Sequence, residues 1–177
     1  MKNILSILMI ILVAVSCNKK SKSDSVVSGS AAYVGKTYTL CSSDTTNSTF
    51  IEIRFLDSEN ISWKITYYSN TDCLDADKTT SDLITGKYRY NASTGIYGEL
   101  LLKDEMTFHD QDLIDNIQND SSQNCGFNDW EINVAQDITG SLTCYGGSFE
   151  AYTEYDEVPG ASFKADVVTL DGISYYP

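Results

Sequence analysis

The sequence predicts an all-β fold, an antiparallel up-and-down meander of about 8–10 short strands with one short helix near residues 110–118. Three observations predict it. Apolar and polar residues alternate with period two in run after run. Turn dipeptides punctuate the C-terminal third. Tyr, Thr, Ile, Val and Phe dominate the runs, as a pleated half-buried surface prefers, and the 2 prolines fall outside them.

The elements follow in order. Gly35 to Cys41 reads as a first strand. Ile51, Ile53 and Phe55 alternate with Glu52 and Arg54, and Ile61, Trp63, Ile65 and Tyr67 with Ser62, Lys64 and Thr66. Asp57 to Asn60 lies between the two runs and makes them a hairpin. Tyr88 and Tyr90 share a face, as do Ile96, Leu100 and Leu102, with Asn91 to Gly95 as the intervening turn. Leu113, Ile114 and Ile117 break the rhythm at helical spacing, with Asp110 as the cap and Asp112 in the first turn. Asn119 to Gly126 follows as a polar loop, and Trp130, Ile132 and Val134 read as a further strand. Gly146-Gly147 separates a strand ending near Tyr145 from one over Ser148 to Tyr155. Pro159-Gly160 suits a type II turn and Asp171-Gly172 a type I′ hairpin.

Sequential hairpins favour closure into a barrel, which removes exposed edges, over a two-sheet sandwich. The meander resembles the lipocalin or calycin group, small barrels with a ligand cavity. That family carries Gly-x-Trp in its first strand; here Gly35 holds the glycine position and Thr37 the tryptophan position. The resemblance implies architecture only.

The N-terminus carries an address. Met1-Lys2-Asn3 is positive, and Ile4 to Val15 is apolar apart from Ser6, too short to span a bilayer of about 30 Å. The run Val13-Ala14-Val15-Ser16-Cys17 resembles the lipobox of bacterial lipoproteins. The resemblance implies a signal peptide over residues 1–16, cleavage before Cys17, and acyl chains on that cysteine. One chain anchors marginally and two or three durably. An ordinary signal peptide with Cys17 removed or left free is the alternative. Among bacteria of the enteric type, Asn18 in place of Asp implies the outer membrane. Residues 17–32 then form the lipidated cysteine and a flexible Ser/Lys tether, and 33–177 a single acidic β domain.

From Tyr33 onward the chain has 8 basic and 24 acidic residues, a formal charge of −16. Such a body is repelled by phosphate backbones, which argues against nucleic acid as a partner. Solubility is the plain reading of this charge, and a cationic partner the sharper one. After Cys17 four cysteines remain, Cys41, Cys73, Cys125 and Cys144. An even count in an exported chain suggests disulfides. Three pairings are open; the neighbours, Cys41–Cys73 and Cys125–Cys144, are preferred because each closes a local strand unit. With one histidine and no Cys-x-x-Cys, zinc is a poor alternative.

Candidate sites are diffuse. Asp72, Asp75 and Asp77 offer clustered carboxylates, but Thr79 and Thr80 stand where a calcium loop needs its third ligand and its glycine. A solvated loop is the plainer reading, and no metal or other cofactor is expected. His109 reads as a surface or helix-start residue. Glu52, Glu99, Glu131 and Glu150 on strands are the residues a carboxylate-dependent, glycosidase-like hydrolase would use. Trp63, Tyr67, Tyr88, Tyr90 and Trp130 are candidates to line an interior and stack on a ligand, or to fill the core. The expectation is a non-enzymatic envelope lipoprotein. It is held to the membrane by acyl chains and binds a small apolar ligand or an envelope protein. A hydrolase and a purely structural protein are the alternatives.

Overall fold

Period-two alternation becomes five long strands: β1 Thr37–Ser43, β2 Ser48–Phe55, β3 Asn60–Tyr68, β4 Lys78–Asn91 and β5 Ile96–Phe108. The structure, a computed structural model, describes residues 32–141, 144 and 153–177. Each strand pairs antiparallel with the next, as expected of a meander. Two short strands continue along the free edge of β5: β6, Ala135–Asp137, and β7, Asp156–Val158. This seven-stranded sheet curls into a half-barrel. A second sheet holds β8 Ser162–Phe163, β9 Val168–Leu170 and β10 Ile173–Tyr175. The chain end meets the first strand, where Thr39 and Tyr176 exchange backbone hydrogen bonds. The curvature expected of a barrel is therefore present, but closure is not: small elements cap the curled sheet.

The pleat sorts side chains cleanly. The inner face carries Tyr38 from β1, Ile53 and Phe55 from β2, Ile61 and Trp63 from β3, Tyr88 and Tyr90 from β4, and Tyr97 from β5. With Val168, Leu170 and Tyr175 of the small sheet, most of these form the first core. Aromatic rings dominate it. Phe55 meets Tyr33, Tyr88 and Phe163 with centroids 5.0, 5.1 and 5.1 Å away, and Tyr90 stacks on Phe163 at 4.2 Å. Such pairs add about 0.5–1.5 kcal/mol each beyond their area.

The second core lies at the other end of β5. It gathers Met106 and Phe108 with Ile114 and Ile117 of helix α1, Gln111–Ile117, and with Trp130 and Ile138. Asp110 caps the helix, its carboxylate accepting from the backbone N–H groups of Asp112 and Leu113. Trp130 packs edge-on against Phe108, centroids 4.6 Å apart, and its indole donates to the Asn124 carbonyl.

Both disulfides join neighbours, as the cysteine spacing suggested. Cys41–Cys73 ties loop 69–77 to the outer face of β1, and the Cys73 N–H donates to Ser48 Oγ. Cys125–Cys144 sits in the second core. Loops of 32 and 19 residues give roughly 3–4 kcal/mol each in the chain-entropy account.

Two turn readings hold in detail. Gly160 adopts φ +77° after Pro159. Asp171 and Gly172 both have positive φ, as a type I′ turn requires, and Leu170 pairs with Ile173 across them. One strand reading does not hold. Trp130 to Val134 forms no strand: Asn133 takes φ +61°, Val134 N–H donates to the Glu131 carbonyl, and Ile132 and Val134 are each 44 % exposed. The left-handed asparagine turns the chain, and β6 begins only at Ala135. The expected signal peptide, Cys17 and its tether, and the expected strand near Ser148, lie outside the described residues.

The β4–β5 ladder contains one bulge, beside Gly86, where Leu102 is the extra residue. A Cβ on Gly86 would stand 2.3 Å from the Leu100 carbonyl oxygen. Gly86→Ala must therefore move backbone, and we expect a loss of about 1–3 kcal/mol in urea unfolding of the oxidised domain, typical of overpacking. An unchanged midpoint would refute this account of the bulge.

Candidate functional site

Between the two cores, the inner face changes character. Its floor there is Ile65, Ile84 and Leu101, all only partly buried, while Ile51 beside Ile65 packs against the first core. Register brings three acids onto this same face. Asp82 stands opposite Met106, Asp104 opposite Ile84, and Glu99 opposite Tyr88. A fourth, Asp156 of β7, lies opposite Glu99. Gly86 leaves the floor without a side chain between Ile61 and Leu101.

Glu99 is held by aromatic residues. The Tyr97 hydroxyl donates to its Oε2 at 2.7 Å. The Trp63 indole N–H is turned toward the carboxylate without reaching hydrogen-bond geometry. Tyr175 packs edge-on against Trp63 at 6.1 Å. Burial pushes Glu99 up to about 7, against the opposing effect of the Tyr97 hydrogen bond. Burial, then the Glu99 charge, pushes Tyr175 up to about 12.

Asp82 and Asp104 are more exposed to cost than to water. Asp82 is 5 % and Asp104 8 % exposed, and one carboxylate oxygen of each has no hydrogen-bond partner. Burial, then the nearby Asp104 charge, raises Asp82 well above the usual carboxylate range. Burial, then Asp137 and Glu105, pushes Asp104 up to about 6. A buried polar atom left unpaired costs about 1–3 kcal/mol. Together with Trp63 Nε1, these oxygens are the only such side-chain atoms among the described residues.

The other candidates are placed elsewhere. Tyr67 lies on the inner face beyond Ile65. Tyr88 and Tyr90 pack in the first core, and Trp130 in the second. Of the strand glutamates, Glu52 is on the outer face beside Lys64, and Glu131 is in the turn before β6. Glu150 lies outside the described residues. The sheet therefore does not bring Glu52, Glu99 and Glu131 together. Asp75 pairs with Lys78 at 2.9 Å, Asp77 accepts from Asn70, and Asp72 from Thr71. Among the described residues, no group of three or more His, Cys, Asp or Glu is placed to hold a metal ion.

His109 has a partner on each ring nitrogen. Ser81 Oγ lies 2.9 Å from Nε2, and Asn133 Oδ1 lies 2.6 Å from Nδ1. This places hydroxyl, imidazole and amide in the order of a nucleophile, a base and its orienting group. Ser81 is the fourth residue of β4, on its outer face, and Asn133 is the residue with left-handed φ.

Sequence reasoning missed Asp82, Asp104 and this relay. Asp82 offered one visible signal: it interrupts the inner-face positions of a strand that otherwise reads Thr80, Ile84, Gly86, Tyr88 and Tyr90. No protein-family model matches this chain, and a search of curated proteins finds no match.

The raised acids give a pH signature. An ordinary glutamate titrates near 4.5, and Glu99 near 7. Between those values the folded protein holds a proton that the unfolded chain has released. Stability is therefore full below that window, falls as pH rises through it, and levels off above it. Asp82 and Asp104 act in the same direction. The exposed carboxylates that are held low, such as Asp57 and Asp120, act below pH 4 with the opposite sign. Glu99→Gln should flatten the decline between pH 4.5 and 7 by on the order of 3 kcal/mol in denaturant titrations. A decline of equal slope in this variant would refute the assignment.

Proposed function

We propose that this protein is a lipid-anchored bacterial envelope lipoprotein whose β domain binds a small ligand in the inner-face trough. The observation that carries the binding reading is the trough floor. Partly buried Ile65, Ile84 and Leu101 stand there beside the buried Asp82 and Asp104, each with a carboxylate oxygen that has no partner. A stretch serving packing alone would be apolar and filled, like the cores on either side. Apolar walls with a few convergent polar groups are what small-molecule sites share. Support for the address is the Val13-to-Cys17 run, with Cys17 as the acylated residue. The two disulfides fit an oxidising compartment. The outer membrane is the proposed location, on the strength of Asn18.

Two measurements test this reading together. The full chain expressed in a Gram-negative host with an alkyne fatty acid should take up label, and Cys17→Ser should take up none. The purified soluble domain should raise the fluorescence of Nile red, a neutral dye, and Ile84→Trp should lower that signal several-fold while keeping both disulfides and the strand spectrum. Label on Cys17→Ser would overturn the anchor; an undiminished dye signal in Ile84→Trp would overturn the trough.

A second reading has one observation in its favour. The Ser81–His109–Asn133 relay has the order used in acyl-transfer hydrolysis. In that reading a fluorophosphonate probe labels Ser81, and His109→Ala abolishes labelling. Absence of label on the wild-type domain would dispose of it.

A further inference from the structure

We propose that the inner-face trough binds an aliphatic amine, its ammonium between Asp82 and Asp104 and its hydrocarbon on Ile65, Ile84 and Leu101. This rests on the reading of the trough as a ligand site and names the ligand's chemistry.

The argument starts from how charge is sorted by the sheet. Strands β1 to β5 contain Arg54, Lys64, Lys78, Lys87, Arg89 and Lys103, and the register puts every one on the outer face. There Lys64 meets Glu52, Arg89 meets Glu157, and Lys103 meets Glu105. The inner-face positions of the same strands hold Asp82, Glu99 and Asp104 and no Lys, Arg or His. Acids without cations have thus been collected on the side with least water.

Asp82 and Asp104 are each more than nine-tenths buried, and each has one oxygen with no partner among the described residues. They are diagonal neighbours across β4 and β5. Such neighbours have Cβ atoms roughly 7 Å apart. One ammonium, with its three donors, can bridge carboxylates at that spacing. The pair lacks a cation, and the most economical completion is a cationic ligand.

The surroundings decide which cation. A divalent metal asks for about six or more oxygen ligands. Ile65, Ile84 and Met106 flank the aspartates instead, and cannot complete such a shell. They can hold an alkyl chain, worth about 0.8 kcal/mol per buried methylene. Trp63, on the same face, offers a ring for cation–π contact. The domain's formal charge of −16 from Tyr33 onward draws cations toward it.

The groups facing these acids fix the pH dependence. Asp104 is near Asp82, Asp137 and Glu105, while Glu99 is near Tyr97, Tyr175 and Asp156. Acids that burial keeps protonated at low pH must ionise to take an ammonium, so affinity rises from pH 5 to pH 8.

The test is thermal unfolding of the oxidised domain with hexylammonium chloride, 1-hexanol or magnesium chloride. At pH 8 hexylammonium should raise the midpoint by several degrees, and the other two should not. The gain should shrink at pH 5. Asp82→Asn and Asp104→Asn should each weaken hexylammonium at least tenfold, while the ligand-free midpoint at pH 8 stays level or rises. A merely structural role for the aspartates predicts a lower ligand-free midpoint instead. No shift from hexylammonium at pH 8, an equal shift from magnesium, or a shift that survives both substitutions would overturn the proposal. Nile red separates the two readings. Dye binding that Ile84→Trp abolishes, with no response to the amine, removes the amine and keeps the trough; loss of both removes both.

Discussion

Pairing between β4 and β5 is the constraint on which the rest of the molecule depends. These are the longest strands, 14 and 13 residues, and their ladder runs from Thr80–Phe108 to Asn91–Ile96. The first core is laid on one end, around Tyr88 and Tyr97, and the second on the other, around Met106 and Phe108. β6 and β7 both dock on the far edge of β5. A slip of one residue in β4 would turn Leu83, Lys87 and Arg89 inward and Tyr88 outward. The bulge at Gly86 is therefore part of the register. It lets Leu101 and Asp104, three residues apart, occupy the same face.

Two cores on one sheet make a different object from a filled barrel. Each is closed by its own small elements: the three-stranded sheet over the first, helix α1 and the Cys125 loop over the second. Each disulfide reinforces a region that backbone pairing reaches poorly. Cys41–Cys73 holds a loop containing only a single 3-10 turn, and Cys125–Cys144 joins the loop after α1 to Cys144, where the backbone makes only an isolated bridge at Asn124. The interval between the cores contains neither staple. It is where the sheet can carry polar side chains without unpicking a packed interior.

The strands were legible because their information is local. Alternation in Ile51 to Phe55 and Ile61 to Tyr67 fixes which side chains share a face, and Asp57 to Asn60 fixes the hairpin. Asp171-Gly172 likewise specifies its own turn. The segment Trp130 to Val134 was misread because its alternation is shared by a turn, and a single left-handed residue decides between them. Half-barrel or barrel depends on what meets the edge of β1, and no pattern within β1 encodes the arrival of Tyr176. The candidate site was less legible still. Glu99 was visible as a strand glutamate, but its burial comes from Trp63 and Tyr175, 36 and 76 positions away. Asp82 and Asp104 become a pair only once β4 and β5 are in register.

The energetics of that pair connect fold to function. A sheet that wanted stability alone would place Asn, Thr or Val at positions 82 and 104, since each orphaned carboxylate oxygen is a penalty with no structural return. Burial favours the neutral form of such acids, and their ionisation costs the fold more as pH rises. A bound cation changes the sign of this effect, because ionised carboxylates then gain a partner in surroundings where charge interactions are strong. Ligand and proton consequently compete for the same two side chains, so ligand affinity depends on pH and proton affinity on ligand concentration. On the proposed amine reading, acidification would release the ligand through this competition alone, with no hinge and no second conformation.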